Sequence, residues 1–197
     1  MAIEQTGDAR SGEQDLLGRA REGDGLAYRR LVEPHLAVLL RIATRVSGNA
    51  QLGEDAVQET LTIAFERLSG YRHETPFRAY LAGIAARQAY TLVRAERRRR
   101  RREEGAAHPE VPPGPEEQAR AATTARQVRA ALLAMPDKRR EAALLRLDAG
   151  LSYRDIALAL GSTEGSARVL VHTALKELRE RLAPLLEFEE PHERSIG

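Results

Sequence analysis

A proline-rich segment near the middle of the chain limits the folds that this sequence can adopt. Of the nine prolines, four lie within seven residues, at positions 109, 112, 113 and 115. Proline fixes φ and lacks an amide donor, so this segment can form neither the interior of a helix nor a central strand. We therefore predict a linker over residues 101–118 between two small domains, at 13–100 and 119–183. Residues 1–12 and 184–197 are expected to be a disordered N-terminus and a tail.

The spacing of the apolar residues predicts that both domains are helical. Apolar residues recur three and four positions apart, and no run alternates with a period of two, so we expect an all-α fold. Because only 4% of the residues are aromatic, the two cores must be built mainly from Leu, Ala, Ile and Val. The predicted helices lie at about 13–22, 26–46 with a bend near Pro34, 53–69 and 76–100 before the linker, and at 117–134, 137–149, 152–160 and 163–182 after it.

The composition argues against several classes of protein. The chain has no cysteine, which excludes disulfides and thiolate metal sites. No apolar run approaches the length of a membrane span, so we expect a cytoplasmic protein without membrane insertion. We find no Gly-rich phosphate loop, no pair of metal ligands and no locally supported Ser/His/Asp arrangement. An enzyme is therefore the least favoured class, and no catalytic residue, metal or cofactor is predicted.

The third predicted helix carries a polar face. At 100° per residue, the stripe expected to be buried consists of Val57, Leu61, Ala64, Phe65 and Leu68. Asp55, Gln58 and Glu59 cluster on the other side, which in an arbitrary helix would simply be solvated. Residues 54–60, Glu-Asp-Ala-Val-Gln-Glu-Thr, nevertheless resemble region 2 of extracytoplasmic-function sigma factors, where a Glu-Asp-x-x-Gln-Glu-Thr helix docks on the clamp helices of the largest RNA polymerase subunit. The resemblance implies that Asp55, Gln58 and Glu59 contact polymerase.

Aromatic and basic residues are interleaved after this helix. Tyr71, Phe77, Tyr80 and Tyr90 lie among five basic residues between positions 72 and 94. Single-stranded nucleic acid requires this combination, because bases stack on rings while phosphates pair with guanidinium groups. The alternative is that the apolar members form the core stripe of the helix, which we accept for Phe77.

Residues 68–81 also resemble the promoter-melting segment of the same family, which usually ends in Phe-Arg-x-Trp-Leu and captures an unstacked base of the −10 element. Tyr80 replaces the usual Trp and Thr91 replaces a usual acidic residue, so we expect an altered −10 preference rather than lost melting. The six arginines at 97–102 follow; they are either a solvated helix end or a contact with promoter phosphates, and we favour the contact. The residues implied in −10 binding are Arg72, His73, Thr75, Arg78, Tyr80, Arg87 and Arg94.

Residues 152–173 have the pattern of two helices joined by a tight turn. Ser152 is predicted to cap the first helix with Asp155 in an [ST]-x-x-[DE] box, Gly161 to supply the turn, and Thr163 to cap the second helix. In such a pair the second helix enters the major groove. The alternative is a helical hairpin with a purely structural role. The residues expected to face inward on the second helix are Ala167, Leu170, Val171, Ala174 and Leu178.

This segment resembles region 4 of the same family, usually Leu-Ser-Tyr-x-Glu-Ile-Ala followed by Gly-Thr-Val-Lys-Ser-Arg-Leu-His-Arg-Ala. Arg168 is the expected base-reading side chain, since arginine to guanine is the commonest bidentate contact. Leu170 and Thr173 replace usual arginines and Val169 a usual serine, so we expect weaker, less salt-sensitive binding to the −35 element. The residues implied in −35 binding are Thr163, Ser166, Arg168, Val169, His172, Thr173 and Lys176.

The resemblance covers about residues 13–183 and implies a function. A sigma factor is a non-catalytic subunit that binds the polymerase core through the clamp helices and the flap region, recognises promoter DNA at −10 and −35, and is controlled by an anti-sigma factor. The alternative is a free-standing helix-turn-helix regulator, which would bind its operator without polymerase.

Overall fold

The structure, a computed structural model, describes residues 4–72, 75–103 and 116–186. Within these residues it contains helices and no strand, which confirms the predicted all-α fold. No described helix has both the length and the apolar character needed to cross a bilayer. The α-helices are α1 Glu4–Arg21, α2 Gly25–Val32, α3 Leu36–Ser47, α4 Ala50–Glu66, α5 Phe77–Glu103, α6 Glu116–Ala134, α7 Asp137–Leu147, α8 Tyr153–Leu160 and α9 Glu164–Leu186.

Several helix bounds differ from the predicted ones. The segment expected to be a disordered N-terminus is helical from Glu4 onward. The expected bend near Pro34 is present as a 3-10 turn at Glu33–His35, which separates α2 from α3. At the predicted linker, α5 continues to Glu103 and α6 begins at Glu116. Residues 104–115 and the tail from 187 lie outside the described residues.

The arginine run extends α5 instead of ending it. Glu96 accepts hydrogen bonds from Arg99 and Arg100, both with Nε to carboxylate distances of 2.9 Å. These two bonds, together with the arginine charges, lower the pKa of Glu96 to about 2. Pairs three and four residues apart support a helix, so one carboxylate offsets part of the repulsion along the run.

The first domain is built on α3, α4 and α5, which pack closely together. Leu39, Ile42 and Val46 of α3 are fully buried. α3 ends at Gly48 with φ of 63°, and the side chain of Asn49 then caps α4 by accepting a 3.0 Å bond from the Leu52 amide. These two residues fix the direction in which α4 leaves the core.

The second domain is built on α6 to α9, and its core is rich in small residues. Ala142, Ala143 and Ala149 of the α7 region are fully buried beside Leu145 and Ile156. Small side chains let neighbouring helices approach closely, which positions α8 and α9 as a helix pair at the domain surface.

The two domains contact each other. Arg45 of α3 places Nε 2.8 Å from Oδ1 of Asp148, which directly follows α7. Arg129 of α6 donates a 2.9 Å bond to the Ser47 carbonyl at the end of α3. α5 also packs against α7 and α8. The helices on both sides of the linker therefore share an interface.

Candidate protein and nucleic-acid interfaces

The outer face of α4 presents the polar residues singled out in the sequence. Asp55, Gln58 and Glu59 are all exposed, while Ala56, Thr60 and Ala64 on the other side are fully buried. The Thr60 hydroxyl donates to the Ala56 carbonyl at 2.6 Å, so this buried polar group is satisfied within the helix. The three polar side chains thus share one solvent-facing surface on a helix whose other face is anchored in the core.

Phe65 corrects the predicted buried stripe of α4. It was expected in the core, but 42% of it is exposed and its ring meets Tyr28 edge-on with centroids 4.9 Å apart. The buried arc is centred on Thr60, because small residues there allow close helix contact, and Phe65 falls outside that arc. Phe65 lies two turns after Gln58 on the same side. An apolar ring therefore borders the polar face.

An aromatic cluster lies under the loop that joins α4 to α5. The rings of Tyr71 and Phe77 are 5.4 Å apart and nearly perpendicular, and Tyr71 and Tyr80 are 5.0 Å apart. Tyr71 and Phe77 are buried, and the Tyr71 hydroxyl donates to the Thr75 carbonyl. This confirms the core role of Phe77. Through Tyr71 and its bond to Thr75, the cluster also holds the loop against the domain.

Tyr80 differs from its two neighbours because it is only partly buried. Its hydroxyl oxygen is inaccessible to water and has no hydrogen-bond partner among the described residues. Burial raises the pKa of Tyr80, and the nearby guanidinium groups of Arg67 and Arg87 oppose that rise. A buried hydroxyl without a partner costs about 1–3 kcal/mol. Tyr80 is therefore a ring at the domain surface whose polar tip is unsatisfied.

The residues implied in −10 binding are divided between two places. Arg72, Thr75 and Arg78 lie at the loop and the first turn of α5, where both arginines are exposed. Tyr80, Arg87 and Arg94 follow along α5 at seven-residue intervals, which places them on one helix face. His73 lies outside the described residues. The loop residues face solvent, whereas the α5 face turns towards the second domain.

A polar cavity of about 330 Å³ lies between α5 and α7. Arg87 at its wall forms a 3.4 Å ion pair with Glu141 of α7. Burial raises the pKa of Glu141, while Arg87 and Arg140 oppose that rise. The cavity thus carries cations on the α5 side and carboxylates on the α7 side. The lining residues are Arg87, Tyr90, Thr91, Arg94, Arg98, Asp137 and Glu141.

The helix pair α8 and α9 has the predicted capping groups. Ser152 Oγ accepts from the Asp155 amide at 3.1 Å and donates to the Asp155 carboxylate at 2.7 Å. Gly161 adopts φ of 60° at the turn, and Thr163 Oγ1 accepts from the Ser166 amide at 3.2 Å. Each cap satisfies an amide that the first turn of a helix leaves free. These local contacts define where α9 starts.

The outer arc of α9 is exposed as expected for a recognition helix. Thr163, Ser166, Arg168, Val169, His172 and Lys176 are exposed, and Thr173 is half-buried. Of the residues expected to face inward, Ala167, Val171, Ala174 and Leu178 are buried, whereas Leu170 is half-buried.

The Arg168 guanidinium lies 5.1 Å from the centre of the Tyr153 ring, and Arg146 lies 4.9 Å from the same ring. Cations near an aromatic ring are held in place by its electron-rich face. Arg168 also lies 3.4 Å from the Glu164 carboxylate, so Tyr153 and Glu164 both contact it. The sequence pattern did not indicate the contact with Tyr153.

Residues at the contact between the domains were also missed. Arg140 is only 1% exposed, and its guanidinium lies 3.4 Å from the centre of the Tyr90 ring. Asp148 is likewise buried, and its pKa is raised by burial although Arg45 and Arg41 oppose the rise. A buried cation and a buried carboxylate are rare without partners. The cations that face Asp148 and the ring that covers Arg140 come from the other domain, so no local pattern signals these contacts.

Comparison with known proteins matches both halves of this chain. Residues 31–99 match the family model of sigma-70 region 2, and residues 125–178 match that of sigma-70 region 4. The ECF RNA polymerase sigma factor SigD of Mycobacterium tuberculosis is 31% identical, with 85% of this chain and 82% of the relative covered. The RNA polymerase sigma-H factor of Pseudomonas aeruginosa is 28% identical, with 88% and 95% covered.

Two solved structures share the fold. CnrH in complex with the cytosolic domain of CnrY is 24% identical, with a TM-score of 0.62 over 91% of this chain and 99% of that one. The sigma factor RpoE of Bartonella quintana, solved with the anti-sigma factor NepR, is 25% identical, with a TM-score of 0.55 over 79% and 96%. The chain therefore belongs to the extracytoplasmic-function family of sigma factors, alternative subunits that direct RNA polymerase to specific promoters.

Proposed function

We propose that the exposed face of α4 formed by Asp55, Gln58 and Glu59 docks on the clamp helices of the polymerase core. The observation that supports this assignment is the separation of the helix into two faces, one anchored in the core and one free. Acidic and amide groups on a fixed helix form charge-assisted hydrogen bonds with a basic partner surface. The bordering ring of Phe65 adds apolar contact area to the same surface.

The promoter contacts are assigned to two surfaces on different domains. The loop before α5, together with Tyr80 and the α5 face, holds and melts the −10 element, and the outer arc of α9 reads the −35 element. This assignment is supported by the exposure of Arg72, Arg78 and Arg168. Guanidinium groups pair with phosphates and with guanine edges. In this role the protein carries out no chemical step itself; polymerase supplies the catalysis.

The cellular setting follows from this role. The protein acts in the cytoplasm, beside polymerase and the chromosome. The Bartonella quintana relative, solved with an anti-sigma factor, supports control of this chain by a protein of that class. Such a partner would compete with polymerase for the α4 face or with DNA for the α9 face.

Run-off transcription with purified core and a promoter library tests the assignment. Wild-type protein is expected to initiate at a defined pair of promoter elements, whereas a free-standing regulator would bind DNA without core and support no initiation. Asp55→Asn should weaken binding to core at least about tenfold, a loss of about 1.4 kcal/mol.

Asp15→Asn is the matched control for Asp55→Asn, because its exposed side chain on α1 lies outside the proposed docking face. Equal losses in the two variants would remove the docking assignment.

A further inference from the structure

The last residue of α1 reaches the segment that leads from α4 to α5. Arg21 ends α1, and its Nε donates a 3.1 Å bond to the Leu68 carbonyl, while its Nη2 donates to the Tyr71 carbonyl. These carbonyls belong to residues 47 and 50 positions further along the chain. No residue assigned above to polymerase or to DNA lies on α1, so the proposed function gives this contact no role.

The two carbonyls lie at opposite ends of one tight turn. A 3-10 turn at Leu68–Gly70 follows α4, and the Tyr71 amide closes it with a 3.2 Å bond to the Leu68 carbonyl. The guanidinium of arginine is planar and presents its donors in a fixed fork. A single side chain therefore holds both ends of the turn at a set separation. Arg21 thereby fixes the direction in which the chain continues from α4.

Tyr71 connects this turn to the aromatic cluster. Its ring is buried against that of Phe77, and the centre of its ring lies 5.0 Å from that of Tyr80. Its hydroxyl donates to the Thr75 carbonyl. The backbone of Tyr71 is therefore held from α1, and its side chain is held by α5 and by the loop. A shift of this residue would move the surface against which the Tyr80 ring packs.

The end of α1 that carries Arg21 is itself fixed. Leu17 and Ala20, on the same helix, are buried in the core of the first domain. α1 also packs against the 3-10 turn. Burial and then the Glu13 carboxylate of α1 raise the pKa of the Tyr71 hydroxyl, while the Arg21 guanidinium lowers it. The guanidinium thus projects from an anchored helix that runs beside Tyr71.

We propose that Arg21 is a positioning residue for promoter opening: its fork holds the turn and, through Tyr71, the ring of Tyr80 that captures an unstacked base of the −10 element. The proposal rests on the promoter role assigned above to the loop and to Tyr80. When only a fraction of molecules holds the competent arrangement, capture falls by that fraction. Lysine carries the same charge but lacks the fork, so Arg21→Lys separates positioning from a direct contact with phosphate.

Amide hydrogen exchange of the free, full-length protein tests the positioning step. The Gly70 and Tyr71 amides are bonded within the turn, to the Arg67 and Leu68 carbonyls, and their exchange reports local opening. Arg21→Ala should speed exchange in a peptide that covers the turn by at least about threefold. Arg21→Lys should also speed it, because an ammonium group does not bond both carbonyls in the geometry of the fork.

Permanganate reactivity of the −10 region, measured with holoenzyme on a duplex promoter, tests the consequence. With Arg21→Ala the reactivity should fall at least about threefold, while the affinities for core and for duplex promoter stay within about twofold of wild type. Arg21→Lys should show the same loss. A lysine variant that opens the promoter as well as wild type would assign Arg21 to its charge and overturn the positioning role.

Arg19→Ala is the matched control. Arg19 also lies in the last turn of α1, but its guanidinium pairs with Asp24 at 2.6 Å. The variant removes the same charge from the same helix, and an exposed ion pair contributes little to stability, so exchange and opening should stay as in wild type. Thermal unfolding verifies that each variant is folded. Equal losses in Arg19→Ala and Arg21→Ala would reflect α1 as a whole and would overturn the proposal.

The outcomes separate this proposal from the function on which it rests. Unchanged opening in Arg21→Ala would overturn the positioning role, while run-off transcription by wild type with core would still support the function. Reduced opening without faster exchange would mean that Arg21 contacts DNA directly, and would overturn the role as well. Failure of wild type to open any promoter, with exchange altered as expected, would instead remove the promoter role of the loop and leave Arg21 as a residue that only holds the turn.

Discussion

The Arg45 guanidinium lies 2.8 Å from the Asp148 carboxylate, although the two residues are 103 positions apart and belong to different domains. The carboxylate is almost completely buried, while the side chain of Arg45 is 43% exposed. A buried carboxylate whose cation is removed is strongly unfavourable. This pair therefore couples two domains that each have their own core.

The raised pKa of Asp148 predicts a pH dependence of stability. Burial, the largest cause, raises its pKa above the ordinary value although Arg45 and Arg41 oppose the rise. The folded state then holds this proton more tightly than the unfolded state, so the contribution to stability is present below the ordinary pKa and is lost as the pH rises through the raised value.

The free energy of unfolding of the Asp148→Asn variant should therefore increase relative to that of wild type as the pH rises above about 4. Denaturant titrations of both proteins at several pH values measure the difference. A difference that is constant, or that moves in favour of wild type with rising pH, would contradict the raised pKa.

Gly53 lies where α4 packs closely against α3, and this predicts the effect of adding a side chain there. A Cβ at this position would stand 2.6 Å from Thr44 Oγ1 and 3.2 Å from the Thr44 backbone nitrogen. Because backbone cannot move aside as a flexible side chain can, Gly53→Ala should destabilise the fold by about 1–3 kcal/mol. Gly18→Ala on α1 is the control, since a Cβ there meets nothing within 4 Å, and it should be neutral or stabilising. Thermal unfolding of both variants measures the two changes in stability and tests the prediction.

The helix caps show which parts of the fold follow from sequence. Ser152, Gly161 and Thr163 were predicted correctly because a cap depends on residues within about one turn of the chain. The core position of Phe77 was also predicted correctly. Local spacing and the apolar period therefore suffice for the helix-turn-helix and for the all-α class.

Phe65 and Asp148 show why the buried face of α4 and the contacts between the domains could not be predicted from the sequence. Val57 and Ala64 of the predicted stripe on α4 are buried, but the prediction gave weight to large apolar residues and missed Ala56 and Thr60, which are also buried. Which arc of a helix is buried depends on the neighbouring helices, and small residues carry little of the apolar signal. The partners of Asp148 lie more than 100 positions away, so no sequence window contains the pair. Contacts between domains must be read from the structure.

The position of Tyr80 in the aromatic cluster predicts a role in strand opening. Its ring lies 5.0 Å from that of Tyr71 and at the start of the α5 face. Tyr80→Ala removes a stacking surface worth about 1–3 kcal/mol per base, so permanganate reactivity of the −10 region should fall more than duplex binding. Tyr80→Phe keeps the ring and removes only an unpaired hydroxyl, so it should retain opening. Unchanged reactivity in Tyr80→Ala would contradict the role.

Arg168 is predicted to read a base of the −35 element. It projects from the first turns of α9 beside the Tyr153 ring. Arg168→Ala should cost about 1–3 kcal/mol and relax preference at one −35 position, whereas Lys176→Ala should weaken all promoter variants about equally if that lysine contacts phosphate. Affinities of the holoenzyme for single-base promoter variants distinguish the two patterns. A uniform loss with Arg168→Ala would assign that residue to phosphate instead.

The position of Thr91 predicts that the contact between the two domains depends on an uncharged residue in α5. Thr91 lines the cavity with Asp137 and Glu141, at the position where the family usually has an acidic residue. Thr91→Glu would place a third carboxylate beside the two that already line the cavity, and like charges this close repel. The chain has no cysteine, so Ala37→Cys on α3 and Arg179→Cys on α9, both exposed, can carry spin labels. The labelled Thr91→Glu variant should show longer distances between the domains than labelled wild type, and the shift should shrink at high salt. Ala95→Glu, one turn further along α5 and exposed, adds the same charge outside the cavity lining and should leave the distances unchanged. Equal distances in the two variants would mean that repulsion at the cavity does not control the contact between the domains.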